Sequence, residues 1–324
     1  MDLSILFVGF CSMNIFTLQN DVSENHDKFI SQSITLFAHG LLDTGENQIM
    51  ERLGGKVKDI NEGMAQTPHQ TRKTITSTYN FFDFDDAAKP LFGIKGCKFW
   101  HLSIGQDNDV EKLKRAYDQT SEQFPGRSML GYGVSRGASV FILAAAAGQL
   151  PNLKTLVLES PFKSSKESLQ SAVEHIPPYI NIGSMRINAS PARCLAKRII
   201  LAAAWKHKEN ALQPIDVVDK ISPEVASLYI CSMEDKLNKA SEIYDLYEKH
   251  RQNGSKDVYI LVVEKGKHAK LLDGPNGDQV AYVANAFNKK YGDPYEPYLA
   301  EKGESLLRLC QPTGPLAVTQ PKQS

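Results

Sequence analysis

Gly-Val-Ser-Arg-Gly, residues 133–137, is the stretch of this sequence that decides the fold. The residues just before it have the character of a buried strand, and the alanine-rich residues 138–147 after it are strong helix formers. A serine between a strand and a helix stands on a sharp turn, which pushes its hydroxyl outward. Gly133 and Gly137 lack the Cβ atoms that would clash in so tight a turn. The pentapeptide therefore predicts a strand–turn–helix unit with Ser135 as a candidate nucleophile.

Strand-like and helix-like segments alternate along most of the remaining chain. The strand-like segments are residues 33–38, 74–84, 98–102, 155–158, 227–232 and 258–263. The helix-like segments are residues 46–60, 109–124, 241–252 and 279–290. This alternation is the pattern of a parallel sheet covered by helices on both faces. The sequence therefore predicts an α/β protein with a doubly wound, mostly parallel sheet.

Residues 160–222 interrupt this alternation. They contain helical stretches at 164–173 and 194–208, which are separated by several prolines. We interpret them as a short helical cap insertion in one domain that spans residues 31–310. Residues 311–324 are rich in proline and polar residues and predict a disordered tail.

Residues 1–30 contain an apolar segment, Leu3 to Met13, that has two interpretations. It fits an N-terminal strand of the sheet, and it is also apolar enough for the core of a secretory signal. Asp2 stands where a signal would carry a basic residue, and no Ala-x-Ala cleavage site follows. The segment is short for a membrane span. The sequence slightly favours a cytoplasmic location, with a secreted or membrane-associated one as the alternative.

The composition argues against several classes of function. Lys plus Arg and Asp plus Glu both number 37, so no basic excess favours nucleic acid or an anionic membrane surface. The five cysteines lack a Cys-x-x-Cys spacing, and the eight histidines lack the spacing of a zinc site. We therefore expect no disulfide framework and no metal. The expected partner is a small-molecule substrate, and the oligomeric state stays open.

Two further residues complete a possible catalytic set. A serine hydroxyl is a poor nucleophile until an adjacent base activates it and an acid orients that base. In a doubly wound sheet, such groups gather at the C-terminal ends of strands. Asp235 follows the second-last predicted strand and His268 follows the last, in the chain order Ser135, Asp235, His268. Glu159 is the main alternative for the acid and Glu234 a lesser one.

Two backbone N–H groups are needed to hold the negative charge that develops on a substrate oxygen. One candidate is the N–H of Arg136, which directly follows the serine. The other is the N–H of Leu41, because His39 and Gly40 open the loop after the first predicted strand. Gly40 lets the backbone approach a substrate closely. The alternative interpretation is that His39 and Gly40 only form a tight turn.

With these residues in view, residues 30–292 resemble the α/β-hydrolase fold superfamily, and most of all its small esterase and peptidase-like branches. The resemblance rests on Ala-His-Gly-Leu at 38–41, the pentapeptide at 133–137 as a nucleophile elbow, Met-Glu-Asp at 233–235 and Gly-Lys-His-Ala at 266–269. It implies hydrolysis of an ester or thioester through an acyl-enzyme, without a cofactor, with peptide or amide bonds as the alternative substrate class.

The chain also departs from the superfamily pattern. Arg136 stands where many members have a small residue, histidine, leucine or methionine, and this leaves the substrate open. A second hypothesis is a catalytically silent binding or scaffold protein that keeps the same fold.

Overall fold

The computed structural model describes residues 33–38, 40, 76–79, 105, 107–174, 179–182, 185–188, 194, 198, 211–293 and 295–311. The apolar N-terminal segment, the predicted helix at 46–60, the predicted strand at 98–102 and the tail from residue 312 lie outside the described residues.

The described strands are β1 (Ile34–Ala38), β2 (Thr76–Tyr79), β3 (Met129–Val134), β4 (Leu153–Glu159), β5 (Tyr179–Ile182), β6 (Met185–Asn188), β7 (Ala226–Ser232) and β8 (Val258–Val263). Six of them form one sheet in the order β2-β1-β3-β4-β7-β8, and every neighbouring pair is parallel. Strands β1, β3 and β7 are buried along their whole length, as expected for strands covered on both faces.

The described helices are α1 (Asp107–Gln123), α2 (Arg136–Ala146), α3 (Ser165–Glu174), α4 (Pro214–Val217), α5 (Ala240–Arg251), α6 (Gly277–Tyr291) and α7 (Pro297–Leu309). Two hydrophobic clusters form the core. One includes side chains of α1, α2 and α5, and the other includes side chains of α6 and α7. Helices thus cover both faces of the sheet, which confirms the predicted fold class. None of the described helices is both long and apolar enough to cross a bilayer.

The strand order reverses next to β1. The chain passes from β1 outward to β2, and then returns to β3 on the opposite side of β1. In open parallel sheets, ligands bind in the crevice beyond the C-terminal strand ends at such a reversal. Gly40 follows β1 and Ser135 follows β3, so both residues lie at this crevice.

The region between β4 and β7 is only partly helical in its described residues. Helix α3 agrees with the predicted helix at 164–173, and residues 194 and 198 of the second predicted helix are helical. Strands β5 and β6 pair antiparallel, a hairpin that the helical interpretation missed. Whether residues 160–222 act as a separate insertion stays a prediction.

Helix α7 was not predicted either, because the residues after Gly292 are rich in proline. Pro297 is the first residue of the helix. Proline is well tolerated there, because a backbone N–H at this position would have no acceptor within the helix. Gly303 lies so close to α6 that a Cβ there would be 2.0 Å from the carbonyl oxygen of Tyr282. The carbonyl of Cys310, just after α7, accepts the N–H of Ile260 at 2.8 Å and covers part of the edge of β8.

Candidate active site

Ser135 lies on the predicted turn between β3 and α2 in a strained backbone conformation. Its φ is 52° and its ψ is −111°, a region that L-amino acids rarely adopt. The Ser135 N–H donates to the carbonyl of Glu159 at 2.8 Å, and the Ser135 carbonyl accepts the N–H of Ser139 at 3.1 Å. Strain of this kind persists only where the surroundings hold it, and it is concentrated at functional sites.

The two glycines of the pentapeptide are required by close packing. A Cβ at Gly133 would come within 2.5 Å of the backbone of Ala138, at the start of the following helix. A Cβ at Gly137 would come within 2.0 Å of the carbonyl oxygen of Ala38 at the end of β1. Helix α2 therefore begins directly against the sheet, which leaves the serine at the tip of the turn.

His268 links Ser135 to Asp235 in the structure. The His268 Nε2 atom lies 2.8 Å from the Ser135 Oγ, and the His268 Nδ1 atom lies 2.7 Å from Oδ2 of Asp235. The side chain of Asp235 is fully buried, whereas the His268 side chain is 19% exposed. A neutral imidazole with Nδ1–H donating to the carboxylate leaves Nε2 free to accept the serine proton. The three predicted residues thus meet in a chain of hydrogen bonds.

The second carboxylate oxygen of Asp235 is held by its own loop. Oδ1 accepts the backbone N–H groups of Leu237 at 2.9 Å and Asn238 at 3.1 Å. The Asn238 side chain in turn donates to the carbonyl of Ser160 at 2.8 Å, which ties this loop to the end of β4. Both oxygens of the buried carboxylate are therefore satisfied, as burial of a charge requires.

The two alternative acids lie elsewhere. The Glu159 carboxylate accepts the backbone N–H of Leu271 at 3.2 Å and the hydroxyl of Tyr132 at 3.3 Å. Glu234 accepts the N–H of Gly266 at 3.3 Å. The carboxylate at Nδ1 of His268 is that of Asp235.

The predicted oxyanion donors are only partly described. Arg136 is the first residue of α2, where backbone N–H groups have no helical partner, and it directly follows Ser135. Gly40 lies beside the serine, since a Cβ at Gly40 would be 3.5 Å from the Cβ of Ser135. His39 and Leu41 lie outside the described residues, so their roles stay predictions.

The side chain of Arg136 is a feature that the sequence reasoning missed. It is only 1% exposed, and its Nη2 donates to the carbonyl of Gly40 at 3.5 Å. It therefore connects the start of α2 to the loop after β1. Arginine is ordinarily exposed, so nothing local in the sequence indicates this burial.

The described residues offer no alternative metal chemistry or disulfide. Among them, no group of three or more His, Cys, Asp or Glu side chains could hold a metal ion. The cysteines in this part of the chain, Cys194, Cys231 and Cys310, are free thiols.

Comparison with known proteins identifies the fold. No family model matches the chain, and no curated protein sequence matches it. Among solved structures, the esterase Pf2001 of Pyrococcus furiosus superposes with a TM-score of 0.56 at 13% identity, over 81% of this chain and 84% of that chain.

Two further crystal forms of the same esterase give a similar result. Both have TM-scores of 0.53, at 13% and 14% identity, and cover 81% of this chain and 82% and 83% of theirs. The parallel six-stranded sheet with helices on both faces agrees with these superpositions. This chain has the α/β-hydrolase fold.

Proposed function

We propose that this protein is a serine hydrolase that cleaves a carboxylic ester or thioester through an acyl-enzyme intermediate. One observation carries the proposal: His268 is within hydrogen-bond distance of both Ser135 Oγ, at 2.8 Å, and Asp235 Oδ2, at 2.7 Å. A histidine held by a carboxylate and bonded to a serine is the arrangement that activates a hydroxyl for attack.

In the first half of the reaction, Ser135 Oγ attacks the substrate carbonyl and its proton passes to Nε2 of His268. Asp235 stabilises the imidazolium that forms and keeps its Nδ1–H in place. The imidazolium then gives the proton to the leaving alcohol or thiol, and an acyl-serine remains. In the second half, neutral His268 takes a proton from water as the water oxygen attacks the acyl carbon. The bond between that carbon and Ser135 Oγ then breaks, Oγ takes the proton from His268, and the carboxylic acid leaves. None of these steps uses a cofactor.

The negative charge on the tetrahedral intermediate needs backbone donors. The N–H of Arg136, at the start of α2, and the N–H of Leu41 are the donors that we propose. The partial positive charge at the N-terminus of α2 adds to their effect. The buried Arg136 side chain holds the carbonyl of Gly40, next to Leu41 in the chain.

The substrate class is part of the proposal. The superposed protein from Pyrococcus furiosus is an esterase, and a likeness at 13% identity establishes the fold alone. An ester or thioester is the simplest substrate for this set of residues, because an alcohol or thiol leaves more readily than an amine and so demands less of the proton transfer from His268. A panel of p-nitrophenyl esters of increasing chain length, an acyl thioester and a peptide anilide will rank the three bond types.

A fluorophosphonate probe tests the proposal directly, because it reacts only with an activated serine. We expect the folded protein to be labelled and Ser135→Ala to be unlabelled. Ser227→Ala is the matched control, since it removes a buried serine hydroxyl at the opposite end of β7 and leaves the site intact. Failure of the folded wild-type protein to react would reject the proposal in favour of a binding or scaffold protein.

A further inference from the structure

We propose that Glu159 is a positioning residue, which holds the loop carrying His268 at the correct distance from Ser135. This inference rests on the proposed function, because it concerns how the same base reaches the same serine. The loop in question, residues 264–274, is called the base loop below.

Glu159 lies at the C-terminal end of an interior strand of the sheet. It is the last residue of β4, and it is only 1% exposed. In the sheet it pairs with Val134, which precedes Ser135, and with Ile230 of β7, the strand that leads to Asp235. It therefore stands between the strand ends that carry the proposed nucleophile and acid.

Glu159 contacts two parts of the site through different atoms. Its backbone carbonyl accepts the N–H of Ser135 at 2.8 Å. Its side-chain Oε1 accepts the N–H of Leu271, in the base loop, at 3.2 Å. The hydroxyl of Tyr132 donates to Oε2 at 3.3 Å. One residue thus connects the nucleophile turn to the base loop.

The base loop needs such a restraint. Ala269, directly after His268, has a φ of 55°, and a left-handed conformation costs an alanine on the order of 1 kcal/mol. Such a conformation persists only where surrounding contacts hold it. The contacts that hold the loop include the buried side chain of Leu271 and its N–H bond to Glu159. They also include the N–H bond of Gly266 to Glu234.

Packing alone does not account for a carboxylate at this place. The three residues of β4 before Glu159 are Leu, Val and Leu, and all are buried. Burying a carboxylate is costly unless its oxygens are hydrogen-bonded, so an apolar side chain would be the simpler choice in this strand. The presence of a carboxylate here is explained by the hydrogen bonds that it accepts, and one of their donors, the N–H of Leu271, belongs to the base loop.

Two substitutions of Glu159 separate the effect of its hydrogen-bond acceptor from the effect of its side-chain volume. Glu159→Gln keeps one acceptor oxygen for the N–H of Leu271, and its amide can donate to the Tyr132 hydroxyl. Glu159→Leu fills a similar volume and accepts nothing. A displacement of about 1 Å at a reacting group can cost on the order of 10²-fold in rate. We therefore expect Glu159→Leu to slow probe labelling and kcat by about tenfold to a hundredfold with little change in KM, and Glu159→Gln to restore most of the rate.

Thr155→Val is the matched control for general destabilisation. Thr155 is buried in the same strand, and its hydroxyl donates to Asp293 at 2.7 Å at the far end of the sheet. This variant loses a buried hydrogen bond without touching the site. We expect its labelling rate to equal that of the wild-type protein at temperatures where both are folded.

Amide hydrogen exchange gives a readout that does not depend on catalysis. We expect Glu159→Leu to speed exchange in residues 264–274, whereas Glu159→Gln and Thr155→Val leave it unchanged. If Glu159→Leu does not fold, Glu159→Met, which is unbranched and adapts to its surroundings, is interpreted in the same way.

Three results overturn the inference. They are wild-type labelling by folded Glu159→Leu, equal slowing by Thr155→Val at equal loss of stability, and unchanged exchange in the base loop of Glu159→Leu. An unlabelled wild-type protein would instead reject the proposed function. The exchange experiment would still decide whether Glu159 restrains the loop.

Discussion

The burial of His250, where α5 packs against the sheet, can be tested by replacing this residue with asparagine. The measured quantity is the change in the free energy of unfolding with pH. His250 is fully buried near the end of α5, and its Nδ1 lies 3.0 Å from the hydroxyl of Tyr229 in β7. Burial disfavours the charged imidazolium and lowers the pKa of His250 to about 4. The folded protein therefore keeps this side chain neutral at neutral pH.

The sign and size of the effect follow from this shift. In the unfolded chain a histidine has a pKa of about 6.5. Between about pH 6.5 and pH 4, the unfolded state therefore binds a proton that the folded state does not. The depressed pKa of His250 therefore lowers stability as the pH falls. The loss is about 2 kcal/mol between pH 7.5 and pH 5, and about 3 kcal/mol once the pH is below 4.

Urea unfolding followed by circular dichroism at the two pH values measures this loss. The asparagine variant keeps a polar atom near the position of Nδ1 but does not titrate. We expect the wild-type protein to lose about 2 kcal/mol more than His250→Asn when the pH falls from 7.5 to 5. Burial raises the pKa of Asp293, which changes stability in the opposite direction, but Asp293 is present in both proteins and cancels.

Tyr229→Phe is the control, because it removes the hydrogen bond and leaves the buried histidine in place. It should lower stability at both pH values and keep the pH dependence. Equal losses of unfolding free energy for the wild-type protein and His250→Asn would refute the reasoning. They would mean that His250 takes up its proton as readily in the folded protein as in the unfolded chain.

Three further predictions concern the site and its turn. Asp235→Asn should lower kcat for ester hydrolysis by on the order of 10⁴-fold, by analogy with other triads, whereas Glu159→Gln should cost far less; the reverse ranking would make Glu159 the acid. Gly137→Ala should lower stability by more than about 3 kcal/mol in urea unfolding, because its Cβ meets backbone. Gly126→Ala, with a φ of 75° but open space around the Cβ, should cost only about 1–2 kcal/mol, and equal losses would contradict the tight packing of α2. Ser135→Gly should be more stable than Ser135→Ala by about 1 kcal/mol, because glycine relieves the strained φ of 52°; equal midpoints of thermal unfolding would show that the turn stores no strain.

Sheet geometry explains why the sequence alone predicts the residues of the candidate site. Parallel strands end at the same edge, so residues that follow separate strands in the chain come together there. Asp235 and His268 each follow such a strand, and they are hydrogen-bonded to one another next to Ser135. Their catalytic roles remain our proposal. The apolar runs of β4 and β8 likewise predicted their strands directly.

The features that were missed have weak local signals or depend on contacts between distant parts of the chain. The hairpin of β5 and β6 has only four residues in each strand, and nearby prolines suggested a broken helix. Its local signal was the two-residue Gly-Ser connection at 183–184. Helix α7 was obscured because its first residue is a proline. The burial of the Arg136 side chain depends on its contact with Gly40 in the loop after β1, and these two residues are 96 positions apart in the sequence.

The hydrogen bonds beyond the strand ends give the site its rigidity. The ladder between neighbouring strands continues past their last residues, through Ser135 N–H to Glu159 O at 2.8 Å, Ser160 N–H to Ile230 O at 2.8 Å, and Met233 N–H to Val263 O at 2.9 Å. The turns that lead to the nucleophile and the acid therefore extend the sheet. Sites supported by regular elements hold their geometry more closely than sites on loops. His268 is the exception, since it lies five residues past β8, and the base loop that carries it is the part of the site that we propose Glu159 restrains.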